Sequence, residues 1–345
     1  MTLIWFILVL GITVTIHEFG HFIFAKRAGV YVYEFSIGMG PRLFKFKRKN
    51  DETEYSIRLL PIGGFVQMAG EEVDDDTTIP KEQKMHAKSF GQKLIIVLAG
   101  IIFNFLLAVI LLFFVGLFNG VPNNQSIVGT VDSSYPAYDA GLKPGDKILE
   151  LDAKKVNTID KLSLQLQVHS GNTINLKVDR DGKTENIEIQ PKKVKQDDKE
   201  VYKYGFSLDG TLSHGFFESV KYAFTKVFSL IHQMVFVIFY LITGAIGLGS
   251  LAGPVGIYNV VGDAASSGFA SIVYLTAFIS INVGFINLLP IPAFDGCRAL
   301  FIIIERIKGS PVNPKLENTI HNIGFILLMA LMILITYNDI TRLMG

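Results

Sequence analysis

His17, Glu18 and His21 stand together in the run HEFGH at 17–21. On a helix, positions i and i+4 share a face, so the two imidazoles can reach one metal ion. Glu18 is turned off that line but remains close enough to take a proton from an attacking water. The residue types and spacing point to zinc-assisted hydrolysis with Glu18 as general base. In a soluble helix such a turn would ordinarily be a solvated surface. Here it lies inside the apolar run 3–25, where ionisable side chains are expensive to bury and mark function by default.

A catalytic zinc keeps three protein ligands and one open position. The chain has a single cysteine, Cys297, which excludes an internal disulfide and a cysteine-built site, so the third ligand must be a histidine or a carboxylate. His86, His169 and His214 lie in polar stretches, His232 on an ambiguous helix, and His321 at the start of the last apolar run. Asp295 is better placed. It follows NLLPIPAF at 287–294 and precedes Gly296; the prolines break a helix there, which membranes tolerate only where protein or water satisfies the freed backbone. Taken alone, Asp295 fits a helix-terminal turn equally well.

The elements that must position these residues are read from composition. Half of the 345 residues are apolar, 18% are charged and the net charge is +1. That balance marks a membrane protein and gives no electrostatic case for nucleic acid. Run 3–25 lacks a basic leader and a small-residue cleavage site, so it reads as a retained transmembrane helix rather than a signal peptide. Runs 94–118, 269–289 and 320–337 are each long enough to span as well. The basic residues between 27 and 93 place that stretch in the cytosol and the N-terminus outside. Within it, 55–68 reads as a β-hairpin turning at Pro61–Gly64, and 71–76 as a solvated acidic tip. Residues 126–208 show short β-like runs between Gly, Pro and Asp turns, as expected of an exported soluble domain. Stretch 216–243 is apolar yet carries Glu218, Lys221, Lys226 and His232. If it spanned, Asp295 would emerge on the outer face, a bilayer away from the histidines, so it reads as an amphipathic helix on the outer interface.

HEFGH in the first span, NLLPIPAFDG late in the chain and an insert between them resemble the site-2 protease family, most closely its bacterial members that release anti-sigma factors. Ser134–Ala137 and the run AGLKPGDKIL at 140–149 resemble a PDZ core. The resemblance implies a polytopic α-helical membrane protein: four transmembrane helices, a cytosolic-side membrane-associated β-hairpin and one extracytoplasmic PDZ-like α/β domain. The corresponding parts are 1–118 as N-terminal catalytic half with the hairpin region at 31–70, 126–208 as PDZ-like domain, 216–243 as interfacial helix and 250–345 as C-terminal catalytic half. It implies Zn2+ on His17, His21 and Asp295, with Glu18 as base. Asn287 is expected to contact substrate backbone, or to bond locally at the helix break. PIGGFVQMAGE at 61–71 resembles the family's substrate-holding hairpin, which brings in Gly63, Gly64, Phe65 and Val66. Asn104 and GPVGI at 253–257 also match family positions, with structural roles as fitting as functional ones. Phe294, Cys297-Arg298 and Ile101 depart from the family pattern, and none removes a ligand.

The expected partners are the lipid bilayer and single-pass membrane proteins already trimmed by another protease. Two other readings fit the sequence less well. A metal transporter needs ligands on several helices and an internal repeat, and neither is visible. An inactive PDZ scaffold does not need an intact HEFGH.

Overall fold

The computed structural model describes residues 1–71, 76–122, 125–156, 158–196, 199–247 and 252–344. Most of the acidic stretch 71–76 lies outside the described residues. In chain order the elements begin with α1 (Thr2–Arg27), β1 (Val32–Lys47), β2 (Glu54–Met68) and α2 (Phe90–Asn119). Then follow β3 (Val121–Pro122), β4 (Val128–Val131), α3 (Pro136–Asp139), β5 (Lys147–Leu151), β6 (Lys154–Lys155) and α4 (Ile159–Val168). Strands β7 (Ile174–Arg180), β8 (Lys183–Ile189), β9 (Lys192–Gln196), β10 (Lys199–Lys203), β11 (Phe206–Leu208) and β12 (Leu212–Ser213) come next. The chain ends with α5 (Phe216–Ile242), α6 (Pro254–Ser266), α7 (Phe269–Leu288), α8 (Asp295–Lys308) and α9 (Pro314–Met344). These fall into two compact units, residues 1–115 with 247–345, and residues 116–246.

Among the described residues, five helices are long and apolar enough to cross a membrane: α1, α2, α5, α7 and residues 315–341 of α9. The chain is a multi-pass membrane protein. In the first unit, α1 and α2 meet backbone to backbone: a side chain at Gly20 would lie 2.5 Å from the Ala99 carbonyl oxygen. Val9 of α1 shares a core with Val261 of α6 and Ile272, Leu275 and Ile279 of α7. A second core joins Ala25, Val32, Phe35, Val66, Met68, Ile96 and Ala299, which ties the sheet to the ends of α1, α2 and α8.

The sheet corrects the hairpin expected at 55–68. Those residues form one strand whose partner is 32–47. Its register folds back on itself: Phe35 pairs with both Val66 and Tyr55, while Phe46 also pairs with Tyr55. The two arms of the 55–68 stretch therefore do not pair with each other. The segment around Phe35 lies between them, because the Pro-Gly turn is wide enough to admit a strand, and 54–58 is flanked on its other side by 42–47. Glu34 anchors this arrangement. Its buried carboxylate accepts from Ser56 Oγ at 2.5 Å, Arg58 Nη2 at 2.8 Å and Arg42 Nη2 at 2.7 Å. Burial works against the Glu34 charge, but these donors outweigh it and hold the carboxyl below its ordinary value.

In the second unit, β6-β5-β7-β8 form a sheet and β4 pairs with β11. Strands β5, β7 and β8 alternate inward and outward, placing Ile148, Leu151, Leu176, Val178 and Ile189 in one core with Leu162 of α4. Asp146 takes a forked pair of bonds from Arg180, Nε at 2.7 Å and Nη2 at 2.6 Å. The helix read as a separate element at 216–243 belongs to this unit. Lys226 and Ser229 of α5 bond Asp160 of α4 at 2.6 and 2.7 Å, and Gln165 Nε2 donates to the Tyr240 hydroxyl at 2.9 Å. Another set of α5 side chains stands bare: Phe217, Phe224, Phe228, Val235, Phe239 and Ile242 are all at least half exposed.

Candidate active site

His17 and His21 lie on the inward face of α1, each 7% exposed, while Phe19 of the same run is exposed. Gly100 of α2 makes room for both rings: a side chain there would lie 2.7 Å from His17 Cε1 and would also overlap His21. Each ring is held from behind. His21 Nδ1 donates to the Ile96 carbonyl at 2.8 Å, which leaves the Nε2 lone pair facing inward. His17 Nδ1 lies 3.2 Å from the Asn104 amide. Asn104 Oδ1 has no partner among the described residues. Turning that amide over puts Oδ1 at the contact, satisfies it, and fixes His17 in the matching tautomer.

Asp295 reaches the histidines because α7 ends at Leu288 and the chain doubles back through Pro290 and Pro292. Ala293 takes a left-handed φ of 79° to make the turn, which a non-glycine residue adopts only under outside constraint. That constraint comes from α9. The Ala293 amide donates to His321 Nδ1 at 3.2 Å, and a side chain at Gly324 would overlap Pro292. Gly296 lets the start of α8 pass against the Leu288 and Leu289 backbone. Residues 295–308 are helical, with Asp295 in the first turn.

Asp295 Oδ2 lies 3.0 Å from His17 Nε2 and 3.4 Å from His21 Nε2, and the two nitrogens are 3.1 Å apart. Three lone-pair-bearing atoms converge on one point, which is costly unless a cation lies among them. Tetrahedral zinc with ligands at about 2.0–2.1 Å would separate them by roughly 3.3–3.4 Å. The donor set, distances and outer support all fit zinc.

Glu18 lines the same cavity, of about 340 Å³, together with Phe65, Val66 and Asn287. The Val66 backbone amide faces the Glu18 carboxylate, and a side chain at Gly64 would come 3.5 Å from Glu18 Cγ. Gly63 sits beyond, against the Met39 side chain. Asn287 Nδ2 donates to the Val283 carbonyl at 3.0 Å, one turn back. Arg298 closes the cavity through an ion pair with Glu71. Cys297 is buried and outside the lining. The sequence reading missed Gly100 and the support from His321; it noted Asn104 without its contact to His17.

A chain with an HExxH helix, a carboxylate delivered by a broken second helix and a cavity between them falls in the class of membrane-embedded zinc hydrolases. Residues 5–331 match Peptidase family M50. The regulator of sigma-W protease RasP of Bacillus subtilis is 32% identical over 99% of this chain and 99% of its own. Zinc metalloprotease RasP of Bacillus licheniformis has the same identity and coverage, and a Staphylococcus aureus (strain MRSA252) relative is 35% identical over 99% of this chain and 98% of its own. The last alignment runs over 428 positions against 345 residues here, so that relative carries residues this chain lacks. The chain belongs to Peptidase family M50, the site-2 proteases, and is an intramembrane zinc metalloendopeptidase.

Proposed function

We propose that His17, His21 and Asp295 bind the zinc and that Glu18 is the catalytic base. The observation that carries this is the convergence of the three ligand atoms within 3.4 Å beside Glu18. Zinc held by these three residues would supply the charge that polarises the scissile carbonyl and acidifies the attacking water. Glu18 takes the proton from that water and passes it to the leaving amine. A transmembrane helix hides its carbonyls in its own hydrogen bonds, so the substrate must open locally. Residues 64–66 border Glu18 and, with Gly63 beyond them, offer backbone bonds to the opened segment as an added strand. Asn287 spends Nδ2 within its helix, so Oδ1 is the atom that accepts from substrate backbone.

The substrates are single-pass membrane proteins trimmed by another protease, anti-sigma factors or signal-peptide remnants; the sigma-W role in the name of the Bacillus subtilis relative supports this class. Four helices span, with both termini and the second unit outside and the site toward the cytosol. The fifth apolar helix, α5, lies on the outer surface, because residues 226–240 dock on a folded domain through Lys, Ser and Tyr, and the same stretch cannot also cross hydrocarbon. The PDZ-like domain screens substrates by the bulk of their external parts.

The deciding experiment is cleavage of a trimmed membrane substrate alongside zinc analysis. Glu18→Gln abolishes cleavage and keeps zinc, whereas Asp295→Ala loses both. Full activity of Asp295→Ala overturns the ligand assignment. For the screen, replacing residues 120–246 by a flexible linker admits untrimmed substrate; loss of trimmed-substrate cleavage with zinc retained would instead mean that the domain delivers substrate.

A further inference from the structure

Within the second unit a cavity of about 520 Å³ opens between α4 and α5, and the hydrolytic reading leaves it unused. Its apolar lining is the buried Leu164 with Phe236 and the half-exposed Phe239, and Lys154, Lys155 and Lys161 line it as well. The acid in the lining, Asp160, is already taken by Lys226 and Ser229. Lys155 and Lys161 make no ion pair among the described residues. Gln165 also lines the cavity and is 7% exposed. Its Oε1 is buried without a partner among the described residues, and a native protein leaves such an acceptor open only for a reason. The site therefore presents positive charge, an apolar lining, and one buried acceptor that wants a hydroxyl or amine donor.

We infer that this cavity holds an anionic phospholipid whose headgroup carries hydroxyls, of the phosphatidylglycerol type. The phosphate lies among the lining lysines, a headgroup hydroxyl donates to Gln165 Oε1, and the acyl chains run out along Phe236 and Phe239. The inference rests on the reading of α5 as a membrane-surface helix. That reading puts its bare face, with Phe228 69% and Phe239 56% exposed, at the level where headgroup and chain meet. Charge complementarity selects an anion, and the apolar lining selects one with a hydrocarbon tail. A lipid wedged between α4 and α5 fastens the helix to the domain, so the enzyme senses the anionic content of the outer leaflet.

The test uses the full-length protein in detergent micelles, with native mass spectrometry of retained lipid. Phosphatidylglycerol is expected to stay bound under conditions that strip phosphatidylethanolamine. Lys155→Gln with Lys161→Gln, both in the lining, should weaken retention by on the order of tenfold, and Gln165→Leu should erase the preference for a hydroxylated headgroup over phosphatidic acid. Equal retention of all lipids, or no effect of the lysine pair, overturns the site. Equal binding of tail-less glycerol phosphate also overturns it, as does displacement by a C-terminal peptide. In a Cys297→Ser background, cysteines at 217 and 242 separate the two readings. Labelling of both from outside with no selective lipid retention sinks the lipid site alone. Labelling from opposite sides sinks the interfacial helix, and the lipid site with it.

Discussion

Gly100 and Asn104 stand one helical turn apart on α2, and each governs an imidazole without entering the reaction. Gly100→Ala places a methyl group within 2.8 Å of the His17 ring, closer than real side chains approach, so the ring must rotate off the metal point. Zinc affinity, read by competition with a chromogenic chelator, should fall at least tenfold. Asn104→Ala removes the partner that fixes the His17 tautomer and should cost about 10–100-fold in the same assay, while Asn104→Asp, which keeps the acceptor, should recover much of it. His321→Ala acts from further away by releasing the Ala293 amide. Its expected signature is weaker zinc binding, restored in part by His321→Asn. The residues proposed as ligands and base stand out in sequence because HExxH and a proline-broken helix each have a local pattern. Gly100 was not, because its role comes from a crossing of α1 and α2, and no local pattern records which glycine faces a crossing.

The sheet made by β1 and β2 is the element nearest the chemistry that the protein could lose by acidification. Glu34 is 4% exposed and holds Arg58, Arg42 and Ser56. Its folded carboxyl titrates below the ordinary glutamate value of about 4.3. The sign follows: its contribution is complete above that value and is lost as pH falls through the lower folded value. Glu34→Gln at neutral pH should cost on the order of 1–2 kcal/mol locally, since it leaves the largely covered Arg58 guanidinium without its carboxylate, whereas Arg42 is 43% exposed and keeps Glu54. Hydrogen exchange of amides 64–68 checks this; they should open faster in the variant, and their response to acid should flatten. No loss of protection would show that the network is dispensable. The alternation at 55–59 revealed extended chain but not its partner. Strand pairing here is between segments whose order in the sheet differs from their order in the sequence, and alternation carries no information on that.

At the scale of the molecule, five helices among the described residues are long and apolar enough to cross a membrane, and α5 differs from the others by what it touches. Three of its polar residues, Lys226, Ser229 and Tyr240, bond Asp160 and Gln165 of the folded domain, a fact that its composition only hinted at. Cysteines introduced at positions 2, 217, 242 and 340 should label from outside, and one at 308 from the cytosol. Labelling of 242 from the cytosol would instead carry α7 the wrong way to bring Asp295 to His17. The route of the chain has a temporal side too. His17 and His21 leave the ribosome first, and Asp295 follows 274 positions later, roughly 14–55 s at about 5–20 residues per second. On the ligand assignment proposed above, the nascent protease holds two of its three metal-binding side chains throughout that interval and is expected not to cut the translocation machinery through which it is threading. Truncations ending before residue 295 should accordingly insert and yet retain no zinc, which makes the stretch from Asp295 onward the chain's own activation signal.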